Sequence, residues 1–138
     1  MGPLLSASVV TVSKRATIDD VLAEVRTGLK RLDPLEAHEA QRAGALLVDI
    51  RPVHQREASG SIPGSVQIDL TVLEWRLDPA CEAALPLADL DAHIVVVCQE
   101  GYSSSLAAAS LQRIGLHRAT DLAGGVDAWV EQGLPVER

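Results

Sequence analysis

Apolar residues recur at helical spacing near the start of the chain: Ile18, Val21, Leu22, Val25 and Leu29. Thr17 precedes them as an N-cap, with Asp20 as an acidic partner three residues on. The spacing predicts a helix over 18–30, with Lys30 and Arg31 favourable at its C-terminal end. Asp33-Pro34-Leu35-Glu36 then joins an N-cap, a proline at the first helical position and a capping-box glutamate, and Gly44 stops this second helix. Beyond Gly44 the pattern changes to short apolar runs of strand length, Leu46 to Ile50 and Ser65 to Ile68. Ile94-Val95-Val96-Val97 is β-branched throughout and apolar on both faces, as in a central strand of a parallel sheet. Helices are expected at 53–58, at 70–77, at 103–114 (rich in Ala and Leu, closed by Gly115) and at 126–132, with a last strand at 118–122. Residues 78–92 hold Pro79, Pro86 and several aspartates and read as a connection. Residues 1–16 lack periodicity and read as a loose arm with a short extended piece at Val9 to Val12.

Short strands alternating with helices indicate an α/β fold with a mostly parallel sheet. Ligands of such sheets bind beyond the carboxyl ends of the strands. Cys98 follows the most apolar strand directly, and Asp49 ends an earlier one.

Composition narrows the chemistry. The 138 residues make one domain, and 47% hydrophobic content supports a globular core. With no Phe, one Tyr, two Trp and 19 Ala, that core is aliphatic, with helices packed close on small side chains. Both Trp75 and Trp129 are expected inside it. Twelve basic against 19 acidic residues give a net charge of −7, with no basic tract for a phosphate backbone. No apolar run is long enough to span a bilayer. The first residues have no basic group ahead of their apolar stretch, a poor secretory signal, so a cytoplasmic location is expected. Met1-Gly2 with Ser6 formally fits a myristoylation pattern, interrupted by Pro3. Two cysteines, Cys81 and Cys98, form neither a disulfide framework nor a C-x-x-C pair, and the four histidines lack metal-ligand spacing, so no metal or cofactor is expected.

The segment Cys98-Gln99-Glu100-Gly101-Tyr102-Ser103 lies between a buried strand and a helix N-terminus. Backbone amides of a tight loop there can turn inward and form an anion-binding nest around the cysteine sulfur. A thiolate in such a nest is stabilised and becomes a nucleophile near neutral pH. Gly101 gives the backbone freedom for the curl, and Ser103, Ser104 and Ser105 can cap the helix and donate hydroxyls toward the sulfur. The alternative is an inert, buried cysteine acting as a small hydrophobe.

The chain resembles the rhodanese-like domain over about residues 30–138, leaving 1–29 as an N-terminal arm and extra helix. The resemblance is carried by Leu47-Val48-Asp49-Ile50-Arg51, by Gly60-Ser61-Ile62-Pro63-Gly64-Ser65, by the Cys98 loop with its helix, and by Asp121 to Trp129 with Gly133-Leu134-Pro135-Val136. It implies a central, mostly parallel five-stranded sheet flanked by helices. It implies a sulfurtransferase in which Cys98 takes a sulfane sulfur from a donor, holds it as a persulfide and passes it to a thiophilic acceptor. The donor would be thiosulfate or a low-molecular-weight or protein persulfide, and the acceptor a thiol, a cyanide-like molecule or a protein thiol. Gln99 and Glu100 stand where thiosulfate users often carry basic residues, and Ser61 stands where the family has His. Glu100 at the mouth would repel a dianion.

By the same resemblance, Asp49 and Arg51 match the family's Asp-x-Arg: either Asp49 orders the cysteine loop and Arg51 or Arg56 attracts an anionic donor, or Asp49 caps a turn and both arginines are solvated or paired. Arg56 sits where some active members place a substrate-binding arginine. Tyr102 either walls the pocket or faces a partner. A cysteine phosphatase would need an arginine six positions after the cysteine, and that position is Ser104. A weakly catalytic binding or regulatory module and a thiol redox sensor are the remaining alternatives. Cys81, in an acidic connection, is expected to be a bystander.

Overall fold

The computed structural model describes residues 15–138; the extended piece at Val9 to Val12 and the Met1–Ser6 pattern lie outside the described residues. Helix α1 runs Ile18–Arg26 behind a Thr17/Asp20 capping box, and α2 runs Pro34–Arg42 behind an Asp33/Glu36 capping box. There follow β1 (Leu46–Asp49), α3 (Val53–Ser59), β2 (Val66–Gln67), a 3-10 turn at Leu70–Val72, α4 (Leu73–Leu77), β3 (Ile94–Val97), α5 (Ser103–Arg113), β4 (Thr120–Asp121) and α6 (Gly125–Glu131).

α1 ends four residues before the expected position. The amides of Thr27, Gly28 and Leu29 bond to carbonyls three residues back, and the Thr27 hydroxyl donates to the Glu24 carbonyl at 2.7 Å. This tightened last turn releases residues 29–32 from the helix. Leu29 drops into the core, and Arg31 is free to reach across the domain.

The sheet order is β2-β1-β3-β4, with every pair parallel. The five strands implied by the resemblance become four among the described residues. Leu32 occupies the outer position as a single bridge to Leu122, because Asp33 and Pro34 already begin α2. In register, Asp49 lies opposite Val97, so the two central strands end level and deliver Asp49 and Cys98 to the same edge.

Strand alternation divides the core. Val48, Ile50 and Val96 pack toward Ala107, Ala108 and Leu111 of α5, the side that also receives Leu29. Leu47, Val95 and Val97 pack toward Ala37 of α2 and Val126 and Trp129 of α6. Trp129 is fully buried, with its indole N–H donating to the Pro135 carbonyl at 2.8 Å. Trp75 is not in the core: it is 58% exposed, because Leu73 and Leu77 take the inward face of the short α4. No helix among the described residues is long and apolar enough to cross a membrane.

The two tryptophans therefore separate in a stability measurement. Trp129→Ala should cost about 3–5 kcal/mol in urea unfolding. Trp75→Ala should stay within about 0.5 kcal/mol. Equal losses at both positions would contradict the packing described.

Candidate active site

Cys98 sits immediately after β3, 5% exposed, at the floor of a cavity of about 320 Å³. Ile50, Pro52, Leu70 and Tyr102 form apolar walls, and Gln55, Glu100 and Ser103 stand at the polar side. The chain from Cys98 to Ser103 curls over the sulfur. The Gly101 amide donates to Cys98 Sγ at 3.1 Å and the Ser104 amide at 3.4 Å. Among the described residues, the amides of Gln99, Glu100, Tyr102 and Ser103 have no protein acceptor.

The loop's carbonyls explain its curl. The Cys98 carbonyl accepts from the Val126 amide and the Gln99 carbonyl from the Asp127 amide, both at 3.0 Å. These donors lie in the first turn of α6, where amides lack helical partners. The Gly101 carbonyl accepts from Arg26 Nη2 and Arg31 Nη2, each at 2.8 Å. With the carbonyls turned outward, amides of the loop are left to face the sulfur. The approach requires glycine on both sides. A Cβ on Gly125 would stand 2.5 Å from the Cys98 carbonyl oxygen, and one on Gly101 (φ +89°) 2.6 Å from the Gly124 amide.

Two polar networks brace the loop. In front, Arg51 and Asp49 are both buried, and their fork pairs Nη2 with Oδ2 at 2.8 Å and Nε with Oδ1 at 3.0 Å. Arg51 also donates to the Gly60 carbonyl and, at 2.9 Å, to Gln99 Oε1. The Gln99 amide group in turn donates to Asp127 at 2.7 Å and Ser59 at 3.1 Å. Arg51 therefore reaches the base of the loop with its charge already matched by Asp49. Behind the loop, the fully buried Asp121 accepts from Arg31 Nε at 2.9 Å and from the hydroxyls of Ser104 and Ser105 at 2.7 and 2.8 Å. The Ser104 and Ser105 hydroxyls thus turn to Asp121 rather than to the sulfur. A buried carboxylate outcompetes a sulfur atom for a hydroxyl donor.

Arg56 does not line the cavity over Cys98. It donates to the Arg51 carbonyl and faces the neighbouring depression with Gln67 and Asp69. There the Thr71 hydroxyl and amide hold the Asp69 carboxyl below its usual range, with Arg56 adding a smaller pull. Glu100 and Tyr102 are exposed at the mouth, and Arg26 lies over the Tyr102 ring at 5.8 Å. Cys81 is a half-buried free thiol beside Trp75 and Ile114, outside the Cys98 cavity. At the other end of the sheet, burial and then Arg118 lower the pKa of His93 below 6.5. The unfolded chain takes that proton more readily, so stability declines as pH falls below 6.5 toward the lowered folded value.

Sequence reasoning missed Arg26, Arg31 and Asp121 among the residues that brace the Cys98 loop. Asp121 carried a usable signal, since a carboxylate inside a buried strand needs partners. The arginines carried none, because their targets lie 70 or more residues away.

The family model for the rhodanese-like domain matches residues 33–132. The thiosulfate sulfurtransferase GlpE of Stutzerimonas stutzeri is 41% identical over 103 residues, covering 75% of this chain and 86% of that protein. The adenylyltransferase and sulfurtransferase MOCS3-2 of Zea mays is 39% identical over 94 residues, 66% of this chain but 19% of that protein. Among solved structures, a Rhodopseudomonas palustris protein of unknown function, described as a possible tyrosine phosphatase, superposes with a TM-score of 0.81 at 30% identity. That match covers 95% of this chain and 100% of the other. The chain belongs to the rhodanese-like domain family. Within it, the chain is a rhodanese-type sulfurtransferase.

The buried Asp49–Arg51 pair gives a direct test of the front brace. Asp49→Asn leaves a buried guanidinium without its counter-charge and should cost about 3–5 kcal/mol in urea unfolding. A loss below about 1 kcal/mol would mean that the pair contributes little to the loop's support.

Proposed function

We propose that Cys98 carries the sulfur as a persulfide. The observation that supports this best is the pair of amides on its Sγ, Gly101 and Ser104, within a loop whose other amides remain open. In the first half-reaction the Cys98 thiolate attacks the outer sulfur of the donor. With thiosulfate, the S–S bond breaks, the electron pair leaves on sulfite, and Cys98 holds an anionic persulfide. In the second, an acceptor thiolate attacks the outer sulfur of that persulfide, forming its own persulfide and returning the Cys98 thiolate. The inward amides stabilise the negative charge in both states, in the manner of an oxyanion hole.

Thiosulfate is supported as a donor by the relatives that carry it in their names. The cavity itself offers a dianion little. Arg51 is neutralised by Asp49, Arg56 faces the next depression, and Glu100 brings negative charge to the mouth. Persulfides of lower charge, on small thiols or on proteins, suit this lining better. Gln99, Glu100, Gly101, Tyr102 and Ser103 form the loop, with Asp49 and Arg51 as its supports. Residues 30–138 form the sulfurtransferase domain, with 1–29 appended. The chemistry needs free thiols and so suits the reducing cytoplasm. A phosphatase reading lacks its clamp: position 104 holds a serine whose hydroxyl is committed to Asp121.

Two measurements test this. Incubation with thiosulfate or glutathione persulfide should add one sulfur mass to the wild-type protein, and cyanide or thiol should remove it; Cys98→Ser should gain none. A wild-type protein that gains no sulfur from either donor is a binding or regulatory module instead. Glu100→Gln should lower KM for thiosulfate about two- to fivefold at low salt, with the gain shrinking as ionic strength rises. An unchanged KM would remove Glu100 from donor selection.

A further inference from the structure

We propose that Arg26 and Arg31 are positioning residues of the Cys98 site, so that α1 and its following turn complete the site although they precede the segment matched by the family. The proposal rests on the assignment of Cys98 as the reacting group.

Three observations converge on it. First, both guanidiniums donate to one atom, the Gly101 carbonyl oxygen, each at 2.8 Å. The family match begins at residue 33, beyond both arginines. Second, the peptide joining Gly101 to Tyr102 is trans, so its N–H points opposite to its C=O. Two cations holding the carbonyl on the outer side therefore aim the Tyr102 amide at the inner side, where Cys98 Sγ already receives the Gly101 and Ser104 amides. They also withdraw electron density from that peptide and make its N–H a stronger donor. Third, the charges do not cancel. Asp121 is forked by Arg31, while among the described residues the partners of Arg26 are neutral, the Gly101 carbonyl and, at 3.0 Å, Ser105 Oγ. The cluster of Arg26, Arg31 and Asp121 keeps one positive charge behind the loop. It is the complement of a thiolate or persulfide in front, in a chain whose overall charge is −7.

The two arginines divide the task. Arg31 anchors to a fully buried carboxylate, so removing it also exposes a folding defect. Arg26, part-buried and flanked by the Tyr102 ring, is the cleaner probe. Its position at the last turn of α1 depends on the packing of α1 against α5 and on the burial of Leu22 and Leu29.

The test compares wild type with Arg26→Gln, Arg26→Lys and Arg31→Gln, with Leu22 and Leu29 intact. Alkylation of Cys98 by iodoacetamide reads the thiolate without any donor. Arg26→Gln should slow alkylation at neutral pH about five- to tenfold, shift the pH profile upward and lower kcat for sulfur transfer with little change in KM. Arg26→Lys should restore part of the rate, since charge survives while the two-pronged geometry does not. Arg31→Gln should show the same kinetic change together with a lower melting temperature. Alkylation and kcat within twofold of wild type in a folded Arg26→Gln would overturn the proposal. So would a rate loss that tracks lost folding and is not recovered by lysine. If wild type transfers no sulfur while alkylation still depends on Arg26, the sulfur-carrier reading fails and the positioning role stands.

Discussion

The site depends on which way a few peptide planes face. Each loop peptide has one carbonyl and one amide on opposite edges, so fixing one edge fixes the other. Here the carbonyls of Cys98 and Gln99 are held by the first turn of α6, and that of Gly101 by Arg26 and Arg31. Among the described residues, the hydrogen bonds to Cys98 Sγ come from backbone amides and not from charged side chains. The loop's inward amides are the consequence of outward anchoring, and the anchors come from α6, from α1 and from the turn that follows α1. That is why a short loop needs most of the domain: β3 to present it, α6 to hold its first carbonyls, α5 to receive its end, and α1 to close it from behind.

Electrostatics follow the same economy. Two ion networks flank the loop, and they differ in net charge. Asp49 and Arg51 cancel and act as a rigid strut that sets Gln99. Asp121, Arg31 and Arg26 leave one positive charge. Burial makes both networks matter more than surface pairs would, because screening by solvent is weak there. The site is thus mildly positive behind the sulfur and negative at its mouth, where Glu100 is exposed. Under the proposed function, this arrangement would stabilise a Cys98 nucleophile from the rear and discourage multiply charged donors in front.

The main elements were legible in the sequence because their signals were local. Capping boxes at Thr17 and Asp33 and the all-β-branched Ile94–Val97 run carry their structure in a few residues. The position of Cys98 at a strand end was legible for the same reason. What was not legible depends on distance. The end of α1 was set by a tightened turn at Thr27 and Gly28 rather than by its apolar period. The fifth strand shrinks to a bridge at Leu32 because the N-cap of the next helix, Asp33, follows directly. Trp75 looked like core by residue type, but a five-residue helix buries only Leu73 and Leu77. The hydroxyls of Ser104 and Ser105 turn from the sulfur to Asp121, 17 and 16 residues along, a partner that the local sequence of the loop does not reveal.

The central claim is that the loop's amides carry the charge of the reacting sulfur. Amide proton shifts of residues 99–104, recorded before and after loading the protein with one equivalent of sulfur, test it most directly. The account predicts downfield movement at Gly101, Tyr102 and Ser104, with the strand amides of Ile94–Val97 unmoved. Loading that leaves those three amides unchanged would contradict it.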